Sequence, residues 1–339
     1  MQKVDAGFAL DPPEQLPMED VPDALLTPFR SGRLRVAWGQ PSLFVTGAVY
    51  NTSRRLVVRS QRLGGLSQDH VAAADLPEVP SPRPRDTQRL RGTWLYGGHW
   101  MNHFGHFLTE TLPSLWYEGE VRGVVFHPFV FGSEILDWQV RAVDLLGLSP
   151  ERIVITGERP VSVDNLVTAA RPYVANGYAR PEAVDVWQRM VDAARERVAF
   201  ASGPVFVSRA LLHQRLADGG QLPKRAAENE LEVDELFASA GFRVLHPETV
   251  PVEEQIAAVA DAELIVGPSG SALHLATFAG PGTTVVELGD ARHWTRSNRN
   301  QAVIAAARQH ELWFQPFPGH GRRYRLDFIR KGLRPVVEL

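Results

Sequence analysis

The sequence predicts an α/β protein with two Rossmann-like halves, and three observations predict it. From about residue 91 onward, short apolar runs of strand length alternate with helical runs, the pattern of a parallel sheet flanked by helices. Phe200-Ala201-Ser202-Gly203-Pro204 interrupts the alternation as a hinge, after which it resumes. The stretch 262–288, AELIVGPSGSALHLATFAGPGTTVVEL, then runs from a buried strand through a small-residue turn into a helix and on to the next strand. Two such halves are expected to face each other across a central cleft.

The elements follow in order. Residues 1–30 read as an irregular lead. Runs 34–38, 42–45 and 55–59 are β-rich, with a turn at Tyr50-Asn51-Thr52-Ser53, and predict a small antiparallel ribbon. The prolines of 75–84 mark a surface loop. Strands are expected at 93–96, 123–126, 152–155 and 165–169, and helices over 102–117, 134–146 and 181–199. Past the hinge come strands at 205–208, 243–245, 264–266, 284–288 and 312–315, with helices over 229–240, 252–260 and 296–309. The segment 210–223 reads as a mobile loop. The predicted domains are the lead and ribbon (1–90), a first α/β domain (91–202), a second (203–318), and a tail (319–339) packing back on the N-terminal half.

Composition narrows the function. The chain has 339 residues, 44% hydrophobic and 22% charged, enough for two domains with substantial cores. A net charge of -3 without a long basic run argues against a nucleic-acid partner. The absence of cysteine excludes disulfides and thiolate metal sites and suits a cytoplasmic protein. Residues 1–20 lack the basic start and apolar core of a signal peptide. No run approaches the roughly 18 apolar residues of a membrane span, so any membrane contact is expected to be peripheral, at the inner face.

Several groups could carry chemistry. A strand, a small-residue turn and a helix start at Ser269-Gly270-Ser271 supply free N–H groups and a helix dipole, both of which favour an anion. The same residues also suit an ordinary strand-to-helix turn. His106 and Glu110 lie four apart and share a helical face, so the carboxylate could orient the imidazole as a general base. A packing histidine beside a solvated glutamate is the plainer alternative. His99, His103 and His106 invite a zinc reading and with it a metal-dependent hydrolase. Against it stand Gly97-Gly98, which disfavour a helix through His99, and the lack of HExxH or an acidic cluster. Arg209 at a strand end and Arg225 before Glu228-Asn229-Glu230 suit phosphate, or belong to a solvated loop. His246 and Glu248 follow a strand, and Glu287 could accept ribose hydroxyls or begin a loop. There is no GxxxxGK[ST], no GxGxxG after a strand, no GxSxG and no Asp-x-Asp.

Taken in order, five blocks resemble glycosyltransferase family 61, including bacterial members of capsular polysaccharide biosynthesis: NHFGHFLTETLPSLW at 102–116, FVSR at 206–209, RAAENE at 225–230, HPETVPVEEQI at 246–256, and 262–288. The resemblance implies a GT-B-like fold and an inverting transfer from a nucleotide sugar, usually UDP-linked, to an acceptor hydroxyl of a glycan or lipid-linked acceptor. It places the donor in the C-terminal half, at Arg209, Arg225, Asn229, Glu230, His246, Glu248, Ser269, Gly270, Ser271 and Glu287. Acceptor and base fall in the N-terminal half, at Asn102, His103, His106 and Glu110, with Glu110 the second choice of base. No metal and no cofactor is expected, the nucleotide sugar being substrate. One departure stands out: the family commonly has His where this chain has Ser269. A serine cannot carry charge toward a leaving diphosphate, so a catalytically weak or inactive sugar-nucleotide-binding protein is the alternative.

Overall fold

The computed structural model describes residues 1–27, 30–35, 41–46, 49–60, 87–128, 134–221, 226–290, 296–317 and 323–337. The expected loop at 75–84, part of the strand at 34–38 and Arg225 lie outside them. The chain divides into two compact units, Leu10–Ala175 and Met1–Ala9 with Asn176–Leu339. Each is a mixed α/β unit built on a largely parallel sheet, as the alternation of strand and helix predicts.

In the unit Leu10–Ala175 the six-stranded sheet runs in the order Val49–Tyr50, Met18–Leu26, Val161–Ala169, Gln88–Trp100, Val124–Pro128, Ile153–Ile155. The last four are mutually parallel. Met18–Leu26 pairs antiparallel with Val161–Ala169 along nearly its whole length, so the lead is not irregular as expected. Its sequence MEDVPDALL hides the strand, because three acids and Pro22 break the alternation. The position tolerates Pro22, since among the described residues only Leu25 and Leu26 find partners on the far side. The expected strand at 55–59 reduces to a bridge between Tyr50 and Leu56 and a 3-10 turn, Val58–Ser60. Arg30–Arg35 and Pro41–Thr46 pair antiparallel as a separate two-stranded sheet.

Strand Gln88–Trp100 is far longer than the four residues expected. Its register slips between Tyr96 and His99, where Gly98 adopts φ +74°. A side chain there would be strained, and the bulge re-aims the residues that follow. The expected helix over 102–117 is instead a single α-turn (Phe104–His106), a π-turn (Phe107–Thr111) and a 3-10 turn (Pro113–Leu115). Thr109 donates its hydroxyl back to the Gly105 carbonyl, 2.9 Å away. Leu112 N–H reaches Phe107 O at 3.0 Å, and Pro113 has no N–H to continue the ladder.

In the other unit, parallel strands Val205–Val207, Arg243–Leu245, Leu264–Pro268, Thr284–Leu288 and Glu311–Gln315 stand in the sheet order second, first, third, fourth, fifth. Gln2–Lys3 closes the far edge antiparallel to Glu311–Gln315. This is the doubly wound order of flavodoxin-like sheets. Helices Glu230–Ser239 and Leu326–Leu333 cover one face, burying Val233, Leu236, Phe237, Ile329 and Leu333 with Phe206, Val266 and Val286. The C-terminal helix therefore belongs to this unit's core, and not to the N-terminal half as expected. Pro181–Arg195 packs with Val252–Ala260, Ser271–Phe278 and Arg299–Arg308, and Arg195 pairs with Asp261. Those contacts draw it into this unit, so the division falls at Ala175 and Asn176, upstream of the predicted hinge. The expected loop at 210–223 contains the helix Ala210–Asp218, whose first free N–H is met by the Ser208 hydroxyl at 3.0 Å.

Candidate active site

In the unit of residues 176–339, Val205–Val207 and Leu264–Pro268 are parallel neighbours, but their onward connections diverge, to Arg243–Leu245 on one side and Thr284–Leu288 on the other. Such a switch point leaves a crevice at the carboxyl ends of the two strands. Arg209 and Ser269-Gly270-Ser271 lie at those ends, so the structure brings together two groups more than fifty positions apart in sequence. Arg209 is buried. Its Nη1 donates to the Ser269 carbonyl at 2.9 Å, and its Nη2 lies 3.4 Å from Asp290 Oδ2. Ser269 N–H donates to Leu288 O at 2.7 Å. Gly270 has φ 148° and ψ -174°, open to glycine and strained for other residues. The helix that follows, Ser271–Phe278, is of the 3-10 type.

The other donor-side candidates separate into two groups. Glu230, His246 and Glu248 gather at the ends of Val205–Val207 and Arg243–Leu245. Glu230 Oε2 is 2.6 Å from His213 Nδ1, and His246 Nε2 is 3.5 Å from Asp234 Oδ2. Burial pushes the Asp234 carboxyl up, opposed by the Ser208 hydroxyl and His246 and reinforced by Glu230 and Glu248. Neither His213 nor Asp234 stands out in the sequence, because each finds its partner only through folding.

Asn229 and Glu287 face inward. The Asn229 amide engages the Tyr324 backbone, accepting from its N–H at 2.8 Å and donating to its carbonyl at 3.0 Å. Glu287 is fully buried. It accepts from the Ser297 hydroxyl and from Asn298 N–H at 3.0 Å, bracing the segment that caps the helix Arg299–Arg308. Burial raises its carboxyl above the usual range, opposed by the hydroxyls of Ser269 and Ser297 and the Asn298 amide.

In the unit of residues 10–175, His106 Nδ1 lies 2.6 Å from Glu110 Oε1. The imidazole is about one-third exposed while the carboxylate is nearly sealed. The spacing places this pair as expected, even though the turn between them is π rather than α. The His103 and His106 rings are 4.9 Å apart. Gln139 is a residue that sequence reasoning missed. Its amide accepts from Trp100 Nε1 at 2.9 Å and Leu136 N–H at 3.0 Å, and it donates to Met101 O at 2.9 Å and Asn102 Oδ1 at 3.3 Å. Neighbouring Trp138 packs on Phe104 and Phe107. The segment bearing Asn102, His103 and His106 is thus braced from one helix, Asp137–Asp144.

This sheet has its own switch point, between Gln88–Trp100 and Val161–Ala169. There Arg171 donates to His99 Nδ1 at 3.0 Å. Close by, buried His127 donates from Nε2 to Thr27 O at 2.9 Å, and its Nδ1 faces the Tyr96 hydroxyl at 2.8 Å. Burial lowers the His127 imidazole to about 4. His99, His103 and His106 do not converge on a metal: among the described residues no three His, Cys, Asp or Glu groups are arranged to hold an ion. Nor, among those residues, is any helix long and apolar enough to cross a membrane.

A small-residue turn and a buried arginine thus stand at the switch point of a doubly wound sheet, the place where such sheets take their ligands. The sequence model of Glycosyltransferase 61 matches residues 104–286, just over half of the chain, and the chain belongs to that family. The matched span includes His106, Glu110, Arg209, His246, Glu248 and the Ser269–Ser271 turn. No curated protein sequence matches the chain. Family membership supports glycosyltransferase activity in general terms.

Proposed function

We propose that this protein is an inverting glycosyltransferase that moves a sugar from a nucleotide sugar, UDP-linked in this reading, to a hydroxyl of a glycan or other acceptor in surface or capsular polysaccharide synthesis. The carrying observation is the Ser269–Ser271 turn at the switch point of the sheet, with Arg209 buried beneath it. In a GT-B-type division of labour, the unit of residues 176–339 takes the donor and the unit of residues 10–175 takes the acceptor. The turn's N–H groups and the positive charge of Arg209 offset the charge gathering on the departing diphosphate, so no metal is called on. Glu110 accepts a hydrogen bond from Nδ1–H of His106 and keeps the proton there, leaving Nε2 to remove the acceptor proton. The acceptor oxygen attacks the anomeric carbon opposite the diphosphate, which leaves with the bonding pair and inverts the centre. Work at the inner membrane face fits a peripheral cytoplasmic enzyme using a lipid-linked acceptor.

The test is turnover of His106→Ala with a matched donor and acceptor. A loss of about a hundredfold or more is expected, and a wild-type rate would sink the assignment of the base.

Ser269 motivates a second reading, a sugar-nucleotide-binding protein with weak or no catalysis. Its side chain is fully buried and carries no charge. Calorimetry with UDP alongside a transfer assay separates the two. UDP binding without transfer to any acceptor, and no gain in Ser269→His, favours the binder.

A further inference from the structure

The charges of the unit of residues 10–175 are unevenly placed. Between Asp23 and Asp69 the sequence has seven arginines and no aspartate, glutamate or lysine, although the whole chain carries -3. Three of them, Arg54, Arg55 and Arg59, lie in and after the turn that follows the edge strand Val49–Tyr50. The turn is fixed by its own bonds: Asn51 Oδ1 accepts from Arg55 N–H at 2.9 Å, and Asn51 N–H donates to Arg55 O at 3.0 Å. All three arginines are exposed, and among the described residues none of them is in an ion pair. Arg54 stands at φ +59°, a conformation that glycine or asparagine takes at lower cost.

Three more arginines belong to the two-stranded ribbon. Leu25 and Leu26 pair with Tyr50 and Val49 in the large sheet, and the same two stretches of chain pair again beyond it, as Arg30–Arg35 with Pro41–Thr46. Among the described residues this ribbon joins no further strand, and two strands alone are marginally stable in water. The register puts Arg33 and Arg35 on one face with Leu43 and Val45, and Arg30 on the other with Leu34 and Phe44. Each face thus mixes cations with apolar residues, and neither holds an acid. A soluble polyanion would meet the cations and leave Leu34, Leu43, Phe44 and Val45 in water. The boundary of an anionic bilayer suits both, with headgroups for the guanidinium groups and acyl chains for the apolar residues.

We propose that the ribbon and the arginines of the 51–59 turn form a docking surface for an anionic bilayer, held by acidic phospholipid headgroups and by shallow insertion of the ribbon's apolar residues. Vesicle binding stands on this surface alone, while its use in bringing a lipid-linked acceptor to the unit of residues 10–175 rests on the function proposed above.

The experiment follows cosedimentation of the full-length protein with vesicles of phosphatidylcholine alone and of phosphatidylcholine mixed with phosphatidylglycerol. Wild type is expected to bind the mixed vesicles, to leave them as salt rises, and to bind pure phosphatidylcholine about a hundredfold more weakly. Arg33→Gln/Arg35→Gln and Arg55→Gln/Arg59→Gln are each expected to lose about thirtyfold in partitioning, about fivefold for each charge removed. Phe44→Ser is expected to lose about tenfold with its salt dependence unchanged, and the arginine pairs carry the test if it does not fold. Arg330→Gln/Lys331→Gln/Arg334→Gln removes three exposed charges from the other unit and is expected to bind as wild type does. Wild type that ignores the mixed vesicles overturns the surface, and so does an equal loss in this control. Binding of dextran sulfate without binding of vesicles overturns the bilayer as partner. Wild type that binds vesicles yet transfers sugar to no lipid-linked acceptor supports the surface and overturns the acceptor reading.

Discussion

At His106 the chemistry depends on which ring nitrogen holds the proton. In the proposed mechanism Glu110 acts as an ionised acceptor and holds it on Nδ1, 2.6 Å from Oε1. Glu110→Gln puts in its place a neutral amide that can donate to Nδ1 as well as accept from it, so the tautomer that leaves Nε2 free as the proposed base is no longer enforced. Turnover of Glu110→Gln is expected to fall about a hundredfold with donor affinity unchanged, and steady-state kinetics that separate kcat from donor KM check it. His127 carries a different prediction. Its imidazole falls from an ordinary 6.5 to about 4 by burial. Between these values the unfolded chain binds a proton that the folded chain refuses. Its contribution to stability is therefore complete above pH 6.5 and is lost as pH falls toward 4. Wild type is expected to lose about 2 kcal/mol more than His127→Gln between pH 7 and pH 5, as read from urea unfolding at the two values.

At the scale of elements, the segment from Trp100 to Leu115 works because Asp137–Asp144 braces it. Gln139→Leu keeps the volume but leaves the Met101 carbonyl and the Trp100 indole N–H without their partners. It is expected to cost about 2–4 kcal/mol and to lower turnover in proportion to disorder at His106, measured by denaturant titration and kcat on the folded fraction. In the other sheet, Phe237 stacks on Phe206 at 4.1 Å and meets Phe242 edge-on at 5.0 Å. Phe237→Ala is expected to cost about 3–5 kcal/mol, by the same titration.

These elements also show what the sequence reveals. Arg243–Leu245, Val252–Ala260 and Thr284–Leu288 form with the bounds predicted for them; for Thr284–Leu288 the reason is that a parallel strand buried on both faces is a nearly continuous apolar run. Met18–Leu26 and Ala210–Asp218 are illegible for the opposite reason. The first is acidic and rests on pairing, and the second leaves most of its surface in water. The His106–Glu110 pair is legible because four positions on one turn are neighbours in space. Arg171, Gln139, Asp234 and Tyr324 are not, since each acts on a residue far away in sequence, which only the sheet order brings near.

On the scale of the whole chain, both sheets place their chemistry by the same rule. Each has parallel strands whose connections diverge at one point, and each gathers polar groups there: Arg209 with Ser269 in one, His99 with Arg171 in the other. The turn at 269–271 and Arg209 are each visible in the sequence, whereas the bond that joins them becomes visible only in the fold. The most direct measurement is the release of UDP from a panel of UDP-sugars with glycan acceptors, with the anomeric configuration of the product read by NMR for wild type and His106→Ala. The account predicts acceptor-dependent release, an inverted product and a loss of about a hundredfold or more in the variant. A product that retains the donor's configuration, or a variant that turns over at the wild-type rate, would contradict it.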